Sequence, residues 1–209
     1  MNPQIFEQAR QYAETRLEHE LSPGLLYHGV EHTRMEVVPA VERLAGWEGI
    51  KGESLYLLLT AAWFHDIGYV EQALYHELIG ARIAVQVLPS YGYTEDQVEI
   101  VRWAILATAL PQLPRSRLEE ILTDADLDVL GREDFMRRNG DLRRELAFLG
   151  NEVTDEQWYT GQLKFVERHR YFTASARSLR DAQKLLNIAA LKKVLAGLPS
   201  SRLKGNNFA

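Results

Sequence analysis

Apolar residues recur along this chain every three or four positions rather than every second one, which places them on one face of successive α-helices. The spacing predicts helices over 3–20, 28–46, 53–67, 71–88, 94–109, 115–130, 133–150, 154–170 and 173–197, with no strands and no internal repeat. Helix breakers fall between these spans: Ser22-Pro23-Gly24, Gly49 to Gly52, Gly68, Pro89-Ser90-Tyr91-Gly92, Pro111 to Pro114, Gly131 and Gly150-Asn151. Thr154-Asp155-Glu156-Gln157 has the form of a capping box, with a glutamine three places after the threonine. Two helices are distinctive. Leu55 to Phe64 is apolar nearly all round, as a central helix packed on every side would be, and His65-Asp66 closes it. The helix from His28 carries Val30, Val37, Val41, Leu44 and Ala45 on one face, and Pro39 inside it should kink the axis beyond the histidines.

The expected fold class is therefore all-α. One domain is expected over 1–209, with its core in 25–135, a helical extension over 136–197 and a tail over 198–209.

With 209 residues, 46% of them hydrophobic, the chain can bury a sizeable core. It has no cysteine, which excludes disulfides, thiol nucleophiles, thiolate zinc sites and iron–sulfur clusters, so any metal must be held by nitrogen and oxygen. The start, Met1-Asn2-Pro3-Gln4-Ile5-Phe6, has neither a cationic region nor an apolar stretch of signal-peptide type. No run approaches the roughly eighteen apolar residues of a membrane helix. A cytoplasmic location and no membrane partner are the resulting expectations. The net charge of −5 argues against nonspecific nucleic-acid binding, which cationic surfaces drive. That charge is uneven: from Gln162 onward ten Lys and Arg face only Glu167 and Asp181. A solvated helix face is the ordinary reading of this excess, and a cationic rim that gathers anionic substrate the sharper one.

Candidate chemistry is concentrated in three places. His28 and His32, four apart, would lie one turn from each other on the same side of a helix. His65 and Asp66 end the most apolar helix, where a carboxylate is costly unless it is paired or bound to a cation. Asp124-Ala125-Asp126 ends a helix whose Leu118, Ile121 and Leu122 face inward. Imidazoles and carboxylates from three helices suit a divalent first-row metal, which would offset the burial cost of all of them together. Taken singly, a buried histidine is more often a satisfied core residue, and an aspartate at a helix end more often a cap. Other motifs fail on spacing. Asp124, Asp126 and Asp128 begin like a calcium loop, but Val129 and Phe135 stand where it needs Gly and Glu. No Gly-rich phosphate loop and no nucleophile elbow occurs, and His76-Glu77 lacks the second histidine of a zinc-protease helix.

The order His32, His65-Asp66, Asp126 resembles the HD-domain superfamily of metal-dependent phosphohydrolases. Its flanks match as well: Tyr27-His28-Gly29-Val30-Glu31-His32 is similar to the superfamily's Tyr-His-x-x-x-His segment, Phe64-His65-Asp66-Ile67-Gly68-Tyr69 to its signature helix end, and Asp124 to Gly131 to its third segment. The resemblance covers about residues 25 to 135. It implies a helical bundle around a metal held by His32, His65, Asp66 and Asp126, with additional C-terminal helices. It also implies hydrolysis of a phosphate ester or anhydride, expected on a nucleotide, with Asp66 and His28 as catalytic residues. In the cyclic-nucleotide phosphodiesterase branch the histidine at the place of His28 protonates the leaving oxygen. The metal, among Mn, Mg, Fe, Co, Ni and Zn, would activate a water.

Two-metal members carry further histidines. His76 matches one such place, but Ala107-Thr108-Ala109-Leu110 stands at the other, so one ion per chain is expected. His76 or Glu77 would then hold a water, a weak second ion or substrate. Asp124 and Asp128 are candidates for orienting neighbours of Asp126, and Arg115 and Arg117 for clamping phosphate. A metal-holding regulatory protein without catalysis and an iron-dependent oxygenase are the alternatives, and a homo-oligomer is compatible with the sequence. The last third has no assignable chemistry, and His19 and His169 read as structural.

Overall fold

The apolar run before His65-Asp66 becomes the centre of the molecule. A computed structural model describes residues 2–199, and among these it contains nine α-helices and no strand. Met1 and, from residue 200 on, the expected tail lie outside the described residues. Helix α3, Gly52–Phe64, has every side chain from Leu57 to Phe64 buried. It packs against α1 (Pro3–His19), α2 (Val38–Trp47), α5 (Glu95–Ala107) and α6 (Arg117–Asp126). The contributing core residues include Ala13, Leu17, Val41, Leu44, Val101, Ile105, Ile121 and Leu122. Each large side chain so buried contributes about 1.5–3 kcal/mol. The helix α4 (His76–Val87) lies against α5. Among the described residues no helix is long and apolar enough to cross a membrane.

Three C-terminal helices, α7 (Phe135–Phe148), α8 (Asp155–Arg168) and α9 (Ala174–Gly197), build a second hydrophobic cluster. Val129, Leu130, Phe135, Val166 and Leu191 form it, and Tyr27 joins it from the N-terminal half. Gly131, in the 3-10 turn Asp128–Gly131, is required by close approach: a Cβ there would meet the Arg180 carbonyl oxygen at 2.5 Å. Thr154 and Gln157 form the expected capping box at the start of α8, and Thr94 with Gln97 forms another at α5.

The helix ends differ from the periodicity where backbone chemistry overrides it. The expected helix over 28–46 starts at Val30, so His28 precedes it, with its ring 6.0 Å from that of His32. The disturbance also precedes Pro39 instead of following the histidines. His32–Val37 is a π-helical turn in which the Val38 N–H reaches back to the Thr33 carbonyl, and Pro39 then sits in the first turn of α2. Proline has no N–H to continue the ladder, and a wide turn is one way to absorb the missing bond. The expected helix over 71–88 begins five residues later, because Tyr75 adopts the left-handed conformation (φ 61°, ψ 31°) and resets the chain at His76. The span 115–130 divides into α6 and the 3-10 turn.

His169 joins α8 to α9 and confirms its structural reading. The Lys184 ammonium donates to the His169 carbonyl at 2.6 Å and lies 3.0 Å from its Nδ1, while Nε2 is buried without a partner. Burial, followed by the charges of Lys184 and Arg170, pushes the imidazole down to about 3 from an ordinary 6.5. A histidine depressed in the folded state stabilises fully above the unfolded value and loses that contribution as pH falls from 6.5 toward 3. The slope is at most about 1.4 kcal/mol per pH unit. Urea midpoints at pH 7.5 and 5 should therefore fall more steeply for the wild type than for His169→Asn, which keeps an acceptor for Lys184 but cannot titrate. Equal slopes would refute this.

Candidate metal centre

The π-helical turn, the end of α3 and the end of α6 bring His32, His65, Asp66 and Asp126 together. His32 Nε2 lies 3.4 Å from Asp126 Oδ1 and 3.9 Å from Asp66 Oδ2. His65 Nε2 lies 3.1 Å from Asp66 Oδ2 and 3.6 Å from Asp126 Oδ1. Ligand atoms of His32, His65 and Asp66 all fall within 4.8 Å of one another, and all three residues are buried. The expected four residues therefore share one location.

The tautomers follow from the neighbours. His65 Nδ1 lies 2.7 Å from the Ala62 carbonyl, which can only accept, so Nδ1 carries a proton and Nε2 is the nitrogen turned to the carboxylates. His32 Nδ1 donates to Glu36 at 2.9 Å, and its Nε2 faces Asp126 Oδ1. Glu36 is held in turn by Arg132 at 3.0 Å and Arg138 at 3.2 Å. His65 Nε2 and Asp66 Oδ2 are buried and have no hydrogen-bond partner. Orphaned buried atoms of this kind are costly unless a cation binds them, and two imidazoles with two carboxylates are a fitting donor set for a divalent ion. Burial opposes protonation of the imidazoles, but the facing carboxylates outweigh it and hold His32 and His65 above the ordinary histidine range. Against the same burial, the imidazoles hold Asp66 and Asp126 below the usual carboxylate range.

A cavity of about 320 Å³ opens beside this cluster, and His28, Asp66, Tyr69, His76, Glu77 and Asp126 line part of it. His28 is fixed from the far end of the chain. Its Nδ1 and backbone N–H both donate to Glu145 on α7, the latter at 2.9 Å, and the Tyr27 N–H donates to the same carboxylate at 2.7 Å. Burial pushes the Glu145 carboxyl up, but these donors outweigh it and keep it below its usual range, so it is ionised at neutral pH. With Nδ1 engaged, Nε2 is the atom left to His28 for a ligand. Tyr69 stacks between His28, 4.5 Å away, and His76, 4.1 Å away. Burial and then the charges of Asp66 and Glu145 push its hydroxyl far up, so it stays protonated and can donate.

His76 Nε2 lies 3.5 Å from Asp66 Oδ1 and 3.5 Å from Glu77 Oε1, on the other side of the Asp66 carboxylate from the four-residue cluster. Gly68 allows this approach: a Cβ there would meet the His76 carbonyl oxygen at 2.0 Å. Thr108 lines the cavity but spends its hydroxyl on the Ile105 carbonyl.

Four candidates are placed elsewhere. Asp124 accepts from the Phe172 and Thr173 N–H groups, both at 2.8 Å, and from the Thr173 hydroxyl at 2.7 Å, so it anchors the start of α9 and orients nothing at Asp126. Asp128 binds Arg180 through two bonds of 2.6 and 2.7 Å. Side chains two apart at a helix end point in different directions, which is why one of three neighbouring carboxylates reaches the two imidazoles. Arg117 pairs with Glu120 at 2.7 Å, Arg115 lies over Trp103, and neither lines the cavity. Much of the basic C-terminal charge is also structural, since Arg177 and Lys184 bind backbone carbonyls. Lys164, Arg168 and Arg170 line a separate cavity that shares Leu110, Leu127 and Phe165 with the first.

The sequence reading missed Glu36, Tyr69, Arg138 and Glu145. Glu36 could have been found four places after His32. Glu145, 117 residues from His28, carries no local signal.

No protein-family model matches the chain, and no curated protein matches it significantly. Among solved structures it is similar to the crystal structure of a predicted HD superfamily hydrolase from an uncultured Thermotogales bacterium. The two are 22% identical, the alignment covers 91% of each chain, and the TM-score is 0.60. The chain therefore has the HD-domain fold.

Proposed function

We propose that this protein is a metal-dependent hydrolase that cleaves a phosphate ester or anhydride of a small molecule, with nucleotides as the first class to test. The observation that carries this reading is the convergence of His32, His65, Asp66 and Asp126 around two orphaned buried ligand atoms, with His28 facing the same cavity. A divalent ion held by those four residues would supply Lewis acidity, neutralising phosphoryl oxygens and lowering the pKa of a water. The fold shared with a protein described as a predicted hydrolase agrees with this.

The chain's own groups supply the rest. His28 would hold a proton at Nε2 for the departing oxygen, and Glu145 would fix the ring through Nδ1. Tyr69 would donate to a phosphoryl oxygen, and His76 and Glu77 would hold a water, a weak second ion or the substrate. The test is phosphate release from nucleoside mono-, di- and triphosphates, cyclic nucleotides and simple phosphate esters, using manganese-loaded protein. Turnover of at least one class is expected. None on any of them, from protein shown to contain metal, would count against the reading and in favour of a regulatory metal site.

A further inference from the structure

The cavity beside the metal cluster has two kinds of wall. One is the set of metal-side residues, and the other comes from the C-terminal half, where Leu130, Phe135, Leu142, Leu146 and Phe165 line it. At about 320 Å³ it stands at the lower end of the roughly 300–1,000 Å³ range of small-molecule sites, which suits one phosphate and one ring-sized body.

Charge limits what that body can carry. Asp66, Asp126 and Glu77 line the cavity, and among the described residues no lysine or arginine does. A divalent ion would balance Asp66 and Asp126, and a phosphate would meet His28, His76 and the Tyr69 hydroxyl. A second anionic group would meet apolar walls, because Lys164, Arg168 and Arg170 line the neighbouring cavity. An uncompensated charge in such surroundings is strongly disfavoured.

One polar feature on the apolar side has a fixed polarity. The Trp158 indole can only donate, and its Nε1–H reaches Asn139 Oδ1 at 2.8 Å. Asn139 must therefore present its Nδ2, which donates to Gln162 Oε1 at 2.5 Å. With that oxygen used, the free end of Gln162 is its Nε2, a pure donor without a partner among the described residues. Asn139 and Gln162 both line the cavity.

We infer that the cavity selects a monoester carrying a single phosphate on an uncharged, largely apolar body with a hydrogen-bond acceptor, and that Gln162 reads that acceptor. This rests on the phosphate-hydrolysis reading above and narrows its substrate class, favouring esters with a single phosphate over di- and triphosphates.

Binding can be measured without turnover by calorimetry on the manganese-loaded protein, using benzylphosphonate and its 4-acetyl and 4-carboxy derivatives, whose C–P bond resists hydrolysis. The acetyl compound is expected to bind about tenfold more tightly than the parent, as one satisfied hydrogen bond allows. The carboxy compound should bind at least ~100-fold more weakly than the acetyl one. Gln162→Leu should erase the acetyl advantage. So should Gln162→Glu, which keeps an acceptor for Asn139 and replaces the donor end, in case the leucine variant folds poorly. Equal affinity for the carboxy and acetyl compounds, an acetyl advantage that survives both variants, or no binding of any phosphonate would overturn the inference. If the ranking holds while no ester is hydrolysed, the selectivity stands and the hydrolytic reading falls.

Discussion

A His28→Asn protein is expected to bind metal normally, melt near the wild-type temperature and lose about 10²- to 10⁴-fold in kcat, the usual worth of a general acid. The choice of asparagine follows from Glu145. That carboxylate is fully buried and receives the His28 ring, so a truncation to alanine would leave one of its oxygens unpaired. An unsatisfied buried acceptor costs about 1–3 kcal/mol, and at this chain length each kcal/mol lowers the melting temperature by roughly 2–4 °C. Asparagine can offer an amide N–H in place of Nδ1–H while removing Nε2, which separates proton transfer from stability. Glu145→Gln should act in the same direction with a smaller loss, because an amide has a single oxygen and can no longer accept from the His28 ring and from the Tyr27 and His28 N–H groups on two separate oxygens. Metal analysis, a thermal melt and initial rates on the best ester decide it. A His28→Asn enzyme within tenfold of the wild-type kcat would rule out the proton-donor role.

The second large effect is expected at Asp126. Its Oδ1 faces both imidazoles, at 3.4 and 3.6 Å, so Asp126→Ala should abolish stoichiometric metal binding and all turnover. Loss of an outer partner of a metal ligand already costs 10- to 100-fold in affinity, and loss of the ligand itself should exceed that. Metal present at about a thousand times its dissociation constant stabilises a folded protein by about 4 kcal/mol. A chelator should therefore lower the melting temperature of the wild type and leave that of Asp126→Ala unchanged. Asp124→Ala is the control from two residues away. It should keep its metal but unfold more easily, because the Phe172 and Thr173 N–H groups and the Thr173 hydroxyl lose their acceptor. Full metal occupancy in Asp126→Ala would mean that the ligand set is wrong.

Both predictions depend on residues with different visibility in the sequence. The candidate ligands are legible because His65, Asp66 and Asp126 close helices with apolar faces, where an ionisable side chain is conspicuous, and because their order with His32 resembles that of a known superfamily. Glu36 is legible by spacing alone. Glu145 is not: it belongs to a polar helix rich in arginine and glutamate, where nothing marks one carboxylate as the partner of a distant histidine. Asp124, Asp126 and Asp128 are equivalent in sequence and differ only in what faces them, α9 for the first and last and the two imidazoles for the middle one. The helical period also could not place the His28 ring, since the bonds that hold it run to Glu145, 117 residues away.

The sequence by itself determined an all-helical chain, a buried central helix ending in His65-Asp66, and a nitrogen and oxygen donor set for a metal, because apolar period and residue inventory are properties of the chain alone. Only the tertiary structure decided which carboxylates face the imidazoles, that α7 holds His28, and that α7 and α8 wall the cavity with apolar groups and one oriented amide. Those outcomes depend on contacts between segments distant in sequence, 94 residues apart for His32 and Asp126 and 117 for His28 and Glu145, which helix packing sets and local pattern does not record.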